Sequence, residues 1–212
     1  MEKLSILCFG DSLTSGYYRY GLEYHSYAIK LKEILEAKFP DTNVHIEVDG
    51  VPGDFVVYPT GDFLPRIQDQ CAKAKFDWVI ILGGTNDLGD GNRADMIYFA
   101  LEDCWRVALT SGAKVLAMTV PDCAAKLESL ETRRSTLNSN IMERESENFR
   151  VVDLHSKIPY HSATENFQDE IFDDGLHFTA KGYELMGSVV GERLVALIEE
   201  EQGSNGQAYT KL

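Results

Sequence analysis

Apolar positions along the chain follow two rhythms. Short unbroken runs, at 3–9, 78–82 and 114–120, alternate with longer stretches where apolar residues return every three or four positions. An unbroken run suits a strand buried on both faces, and the three-to-four spacing marks the buried stripe of a helix. Strands are therefore expected at 3–9, 78–82, 114–120 and 150–154. A half-exposed, edge-like strand is expected at 43–48, where Val44, Ile46 and Val48 alternate with polar residues.

Helices are expected between these strands. One covers 26–39, with Tyr27, Leu31, Ile34 and Leu35 on one stripe and Pro40-Asp41 stopping it. A second covers 61–73, where Pro65 is tolerable only in the first turn. A third covers 95–111, opened by a capping Asp95 and stopped by Gly112. A fourth covers 127–147, with Leu130, Leu137 and Ile141 facing inward. The last covers 179–200 and buries Leu185, Met186, Val189, Val190, Leu194, Leu197 and Ile198.

Strand–helix alternation with fully apolar strands predicts a parallel sheet covered on both sides. The expected fold class is a three-layer α/β/α, flavodoxin-like doubly wound sheet of five parallel strands in the order 2-1-3-4-5. One domain over 1–200 accounts for the pattern, without internal repeats. The acidic, then glycine-bearing segment 201–212 has little to bury and is expected to be a mobile tail.

Charge narrows the partners. The formal net charge of −14 disfavours nucleic acid and anionic membrane surfaces, both of which need clustered Lys and Arg. No run approaches the eighteen or so apolar residues of a membrane span. Met1-Glu2-Lys3 leads straight into the first strand with no signal-peptide pattern, so a cytoplasmic location is expected. Cys8, Cys71, Cys104 and Cys123 are widely spaced, which argues against a metal site or disulfide framework and for reduced thiols. His25, His45, His155 and His161 form no pair with helical ligand spacing.

In a doubly wound sheet, ligands bind beyond the carboxyl ends of the strands. Gly10-Asp11-Ser12 follows the first expected strand, Gly50-Val51-Pro52-Gly53-Asp54 the second and Gly83-Gly84-Thr85-Asn86-Asp87 the third. Asp173-Asp174-Gly175-Leu176-His177 precedes the last helix. Together they supply a serine, a histidine preceded by carboxylates, a side-chain amide and glycine-rich backbone, an inventory suited to acyl transfer. Ser12 taken alone reads first as a helix cap.

The segment Gly10-Asp11-Ser12-Leu13 resembles the first block of the GDSL family, in its SGNH hydrolase subgroup. Gly53, Gly84-Thr85-Asn86-Asp87 and Asp174-Gly175-Leu176-His177 are similar to the remaining blocks and occur in family order. The resemblance implies a serine esterase working through an acyl-serine intermediate, without metal or cofactor. Ser12 would be nucleophile, His177 general base and Asp174 its orienting partner; Asp173 is left as a solvated or capping carboxylate. The Ser12 N–H, the Gly53 N–H and the Asn86 amide would form the oxyanion hole, with glycine at 53 sparing the substrate a Cβ. Asp11 is expected to brace the nucleophile turn through backbone or Asn86. Tyr27 is expected to pack, Pro121-Asp122 to border the pocket.

The same site could serve a lysophospholipase, thioesterase or acyltransferase, on a small-molecule or lipid ester. The order Ser, Asp, His also occurs in α/β-hydrolases, but the second glycine of G-x-S-x-G is missing. A flavodoxin-like phosphate- or flavin-binding module is the alternative outside enzymes, and no Walker or G-x-G-x-x-G pattern supports it. Short connections leave no room for a large lid and favour small or accessible esters.

Overall fold

The computed structural model describes residues 2–208. Strand β1 (Lys3–Gly10) leads into a one-turn helix, α1 (Ser12–Ser15). A ribbon follows, made of β2 (Tyr17–Tyr18) and β3 (Glu23–Tyr24) around a 3-10 turn at Arg19–Gly21. Then come α2 (Ala28–Lys38), β4 (Asn43–Gly50), α3 (Phe63–Lys73) and β5 (Trp78–Leu82). They are followed by α4 (Thr85–Asp90), α5 (Ala94–Thr110), β6 (Lys114–Met118) and α6 (Glu128–Glu143). The chain continues through β7 (Phe149–Val152), α7 (Leu154–Lys157), α8 (Glu165–Ile171) and α9 (Ala180–Ala208).

The main sheet has the order β4-β1-β5-β6-β7, all parallel, which is 2-1-3-4-5 when its own strands alone are counted. The ribbon adds two strands to the chain that the sequence pattern did not announce. Side chains on a strand alternate between faces, and the two cores follow that alternation. Leu4, Ile6 and Cys8 of β1 join Trp78, Ile80 and Leu82 of β5 in the core under α2 and α9. Leu7 and Phe9 join Val79 and Ile81 in the core under α3, α5 and α6. Unbroken apolar runs were needed because both faces are covered.

Helix α9 packs closely on α2. A Cβ on Gly187 would lie 2.5 Å from the Tyr27 carbonyl oxygen, and one on Gly191 2.9 Å from Ile34 Cδ1. These glycines weaken the helix locally but permit close approach. The helix also runs past residue 200, so residues 201–208 of the expected tail are helical, and 209–212 lie outside the described residues. Ion pairs from Arg150 to Glu200 and from Lys114 to Glu201 hold the helix beyond its last apolar turn. At α5 the cap differs from expectation. Arg93 takes the N-cap position, and the Asp95 carboxylate, inside the first turn, pairs with its guanidinium at 2.5 Å.

β1 and β4 end opposite each other at Gly10 and Gly50. A Cβ on Gly50 would meet Ser15 N at 2.3 Å, so α1 sits directly on the strand ends. Every motif expected to carry chemistry emerges at this edge.

Candidate active site

Asp11 ends β1 and caps α1. Its Oδ1 accepts the Leu13 N–H at 2.9 Å, an ordinary N-cap bond. Ser12 is the next residue, 5% exposed, and Gly16 ends the turn at a left-handed φ of 79°. The serine is thus at a helix start, as a cap would be, but the capping is done by its neighbour. Its hydroxyl is left to face His177, with Ser12 Oγ 3.0 Å from Nε2.

His177 is aimed by the loop that carries it. Asp174 Oδ1 accepts the N–H groups of Leu176 and His177, at 3.0 and 2.8 Å. Its Oδ2 lies 2.8 Å from His177 Nδ1. Nδ1–H therefore points at the carboxylate and leaves Nε2 to accept from Ser12. Partial burial pushes the Asp174 carboxyl up, but the His177 ring and the two backbone N–H groups outweigh it, and the net shift is downward. Asp174 is thereby held as a carboxylate.

Gly53 and Asn86 lie together. Asn86 Nδ2 donates to the Asp54 carbonyl at 2.8 Å, which ties the start of α4 to the Gly53 loop. Gly53 adopts φ 79°, and a Cβ built on it meets nothing within 4 Å. The local requirement for glycine is therefore its left-handed backbone rather than crowding from this chain. Asp11 braces through backbone as expected, and not through Asn86.

Asp11 is fully buried, and its Oδ2 has no hydrogen-bond partner among the described residues. Burial raises its carboxyl to about 7; the Leu13 N–H opposes this, Asp87 and Asp54 add to it, and Arg66 offsets part. An unfolded carboxyl ionises near pH 4, so between about pH 4 and 7 the folded protein holds the extra proton. The stability due to this group falls as pH rises through that window and is level above it. Asp11→Asn keeps an oxygen for Leu13 and cannot ionise. It is expected to melt above wild type at about pH 8, with the gain fading toward about pH 4. A Tm difference that is constant across that range contradicts this.

Sequence reasoning missed the group that ties these loops together. Arg66, on α3, donates to the Gly10 carbonyl at 3.2 Å, the Asp49 carbonyl at 2.9 Å, Asp49 Oδ1 at 2.5 Å and Asp54 Oδ2 at 2.5 Å. Its guanidinium lies 4.7 Å from the Phe9 ring centroid. The signal available was one arginine on an otherwise amphipathic helix, three residues after Phe63. Asp87 was part of a recognised block but carried no assigned role; it accepts from Val56 N and Val57 N at 2.9 and 3.0 Å and so shapes the same loop.

A cavity of about 480 Å³ opens beside Asn86 and Asp174, lined by Phe55, Leu88, Pro121 and Leu130 among others. Pro121 borders it as expected. Asp122 turns to accept the Tyr160 and His161 N–H groups and the buried Arg134 guanidinium. Asp122, Glu131 and His161 approach within 4.8 Å of one another, but Arg134 already bridges the two carboxylates as their cation. A groove of about 580 Å³ between α3 and α5, lined by Leu64, Cys71, Arg106 and Val107, holds none of the motif residues. Tyr27 packs in the core, whereas Tyr17 stands against the His177 ring at a centroid distance of 4.6 Å. No described helix is long and apolar enough to cross a membrane.

Residues 8–185 match the model of the GDSL-like Lipase/Acylhydrolase family. No curated protein matches the chain. Among solved structures, a member of the lipolytic protein G-D-S-L family from Veillonella parvula superposes with a TM-score of 0.68 at 24% identity, covering 89% of this chain and 97% of that one. The lipase/acylhydrolase from Enterococcus faecalis gives 0.69 at 24%, covering 92% and 96%. A mutant of an acetyl-xylooligosaccharide esterase from Geobacillus gives 0.69 at 18%, covering 90% and 94%. At these identities the likeness establishes a shared fold.

Proposed function

The chain belongs to the GDSL-like lipase/acylhydrolase family, and from that premise we propose that it hydrolyses carboxylic esters through an acyl-serine formed on Ser12. The observation that carries this reading is the continuous line Ser12 Oγ–His177 Nε2 and His177 Nδ1–Asp174 Oδ2, at 3.0 and 2.8 Å.

His177 takes the Ser12 proton as Oγ attacks the ester carbon, and the developing imidazolium faces the Asp174 carboxylate. The oxyanion is received by the Ser12 N–H, the Gly53 N–H and the Asn86 amide. Collapse expels the alcohol, which takes the proton back from His177. Water then repeats the sequence on the acyl-serine and frees the acid. No metal or cofactor enters any step.

Asn86→Ala is expected to lower kcat by ~100–1,000-fold, the usual effect of losing one oxyanion donor, with little change in KM. A kcat within threefold of wild type removes Asn86 from the oxyanion hole.

The apolar lining beside Asn86 and Asp174 suits the acyl part of a small, neutral ester. A series of p-nitrophenyl esters from acetate to palmitate tests the activity and the substrate class together. The expected result is turnover greatest at short chains and weak at palmitate. Undetectable turnover across the whole series contradicts the proposed esterase activity, and an optimum at the longest chains replaces small esters with lipids as the substrate. The four described cysteines are free and buried, which supports a reducing, cytoplasmic setting.

A further inference from the structure

The nucleophile and base come from opposite ends of the chain, 165 residues apart. The ribbon between β1 and α2 touches the loops of both. At its base it closes on α1: the His25 N–H donates to the Gly16 carbonyl at 2.7 Å, and Ser26 Oγ donates to the Thr14 carbonyl at 2.8 Å. Closure needs glycine at 16, since its φ is left-handed and a Cβ would fall 2.2 Å from the His25 carbonyl carbon.

Beyond its base the ribbon reaches the histidine loop. The Arg19 N–H donates to Asp173 Oδ2 at 2.6 Å, and the Asp173 N–H donates to the His177 carbonyl at 2.8 Å. The Tyr17 ring lies 4.6 Å from the imidazole, backed edge-on by Tyr24 at 5.8 Å. The Tyr17 carbonyl accepts the hydroxyl of Tyr183, a buried residue of α9, at 2.7 Å. Arg19 and Tyr20 hold φ of 50° and 57°, left-handed values that non-glycine residues adopt only under constraint. Glu23, hydrogen-bonded to both Tyr18 and Arg19, fixes the turn from within.

We propose that the Tyr17–Tyr24 ribbon is a strap that holds His177 opposite Ser12, with Tyr17 and Asp173 as positioning residues. This goes beyond the ester-hydrolase reading and rests on its assignment of Ser12 and His177. Tyr17 limits the swing of the imidazole through its ring contact. Asp173, adjacent in sequence to the orienting carboxylate, anchors the histidine loop to the strap through one backbone N–H. Strap and loop together set the Oγ–Nε2 distance on which proton transfer depends.

The test is steady-state kinetics with p-nitrophenyl acetate on Tyr17→Leu, Tyr17→Phe, Asp173→Ala and Asp173→Asn, beside Ser12→Ala. Misplacement of a catalytic group by about 1 Å costs up to ~100-fold in rate. Tyr17→Leu and Asp173→Ala are therefore expected to lose ~10–100-fold in kcat with KM within about twofold. Tyr17→Phe keeps the ring, and Asp173→Asn keeps an oxygen for the Arg19 N–H; both should retain most of kcat. The exposed Asp173 pair carries the test even if Tyr17→Leu fails to fold. Wild-type kcat in Asp173→Ala overturns the strap. So does a loss that Asp173→Asn shares in full, because charge rather than the held N–H would then be the agent. Activity surviving in Ser12→Ala would instead overturn the underlying reading, so the two failures are distinguishable.

Discussion

Ser12→Ala is expected to lower kcat for p-nitrophenyl acetate by at least ~1,000-fold while leaving the fold intact. The size of the effect follows from the step removed. Without Oγ no acyl-enzyme forms, and the remaining Asn86, Gly53 and His177 groups can assist only direct attack by water. The fold should persist because the side chain makes one hydrogen bond, to His177, within the site. The Ser12 carbonyl, which accepts Ser15 Oγ at 2.9 Å and the Gly16 N–H at 3.1 Å, is untouched. Thermal melting alongside the assay separates the two effects. A variant within tenfold of wild type would mean that Ser12 is the helix-start residue it first resembles, and nothing more.

Arg66→Ala should destabilise the protein by about 3 kcal/mol, near the lower end for breaking a largely buried ion pair. Arg66 and Asp49 are each about one-sixth exposed and Asp54 less, so solvent screens this cluster only partly. Removing the guanidinium strips both carboxylates of their cation and takes one donor from each of two backbone carbonyls, of Asp49 and of Gly10, the latter keeping the Val51 N–H. The stem packed against Phe9 and Phe63 is lost as well. Arg66→Lys is not expected to restore the loss, because one ammonium cannot reach four acceptors in the planar fork that arginine offers. Urea unfolding gives the comparison through the midpoint at constant slope. A loss under about 1 kcal/mol would show the cluster to be no more than a surface network.

Much of the architecture was legible because both faces of the sheet are covered, which forces unbroken apolar strands such as Trp78–Leu82. The turn after β1 and the loop before α9 bring Ser12, His177 and Asp174 into one line. Other features depend on partners that no local window contains. Arg66 joins residues 10 and 49, at the ends of two strands, to residue 54 in the loop after β4. The ribbon is too short for a period-two signal, and one of its anchors, Asp173, is far away in sequence. Asp95 looked like a cap by residue type, but the neighbouring Arg93 guanidinium holds its carboxylate. At Gly53 the left-handed φ of 79° is a second demand for glycine that the sequence does not show. The C-terminal helix outlasts its apolar stripe, and Glu200 and Glu201, just past that stripe, pair with Arg150 and Lys114.

Hydrolysis as proposed carries the acyl group on Ser12. Its most direct test is rapid acid quench of the protein during turnover of p-nitrophenyl acetate, followed by peptide mass spectrometry. An acetyl adduct is expected on the peptide containing Ser12, absent from Ser12→Ala and scarce in His177→Ala. Turnover with no adduct on Ser12, or with an adduct on another residue, would contradict it.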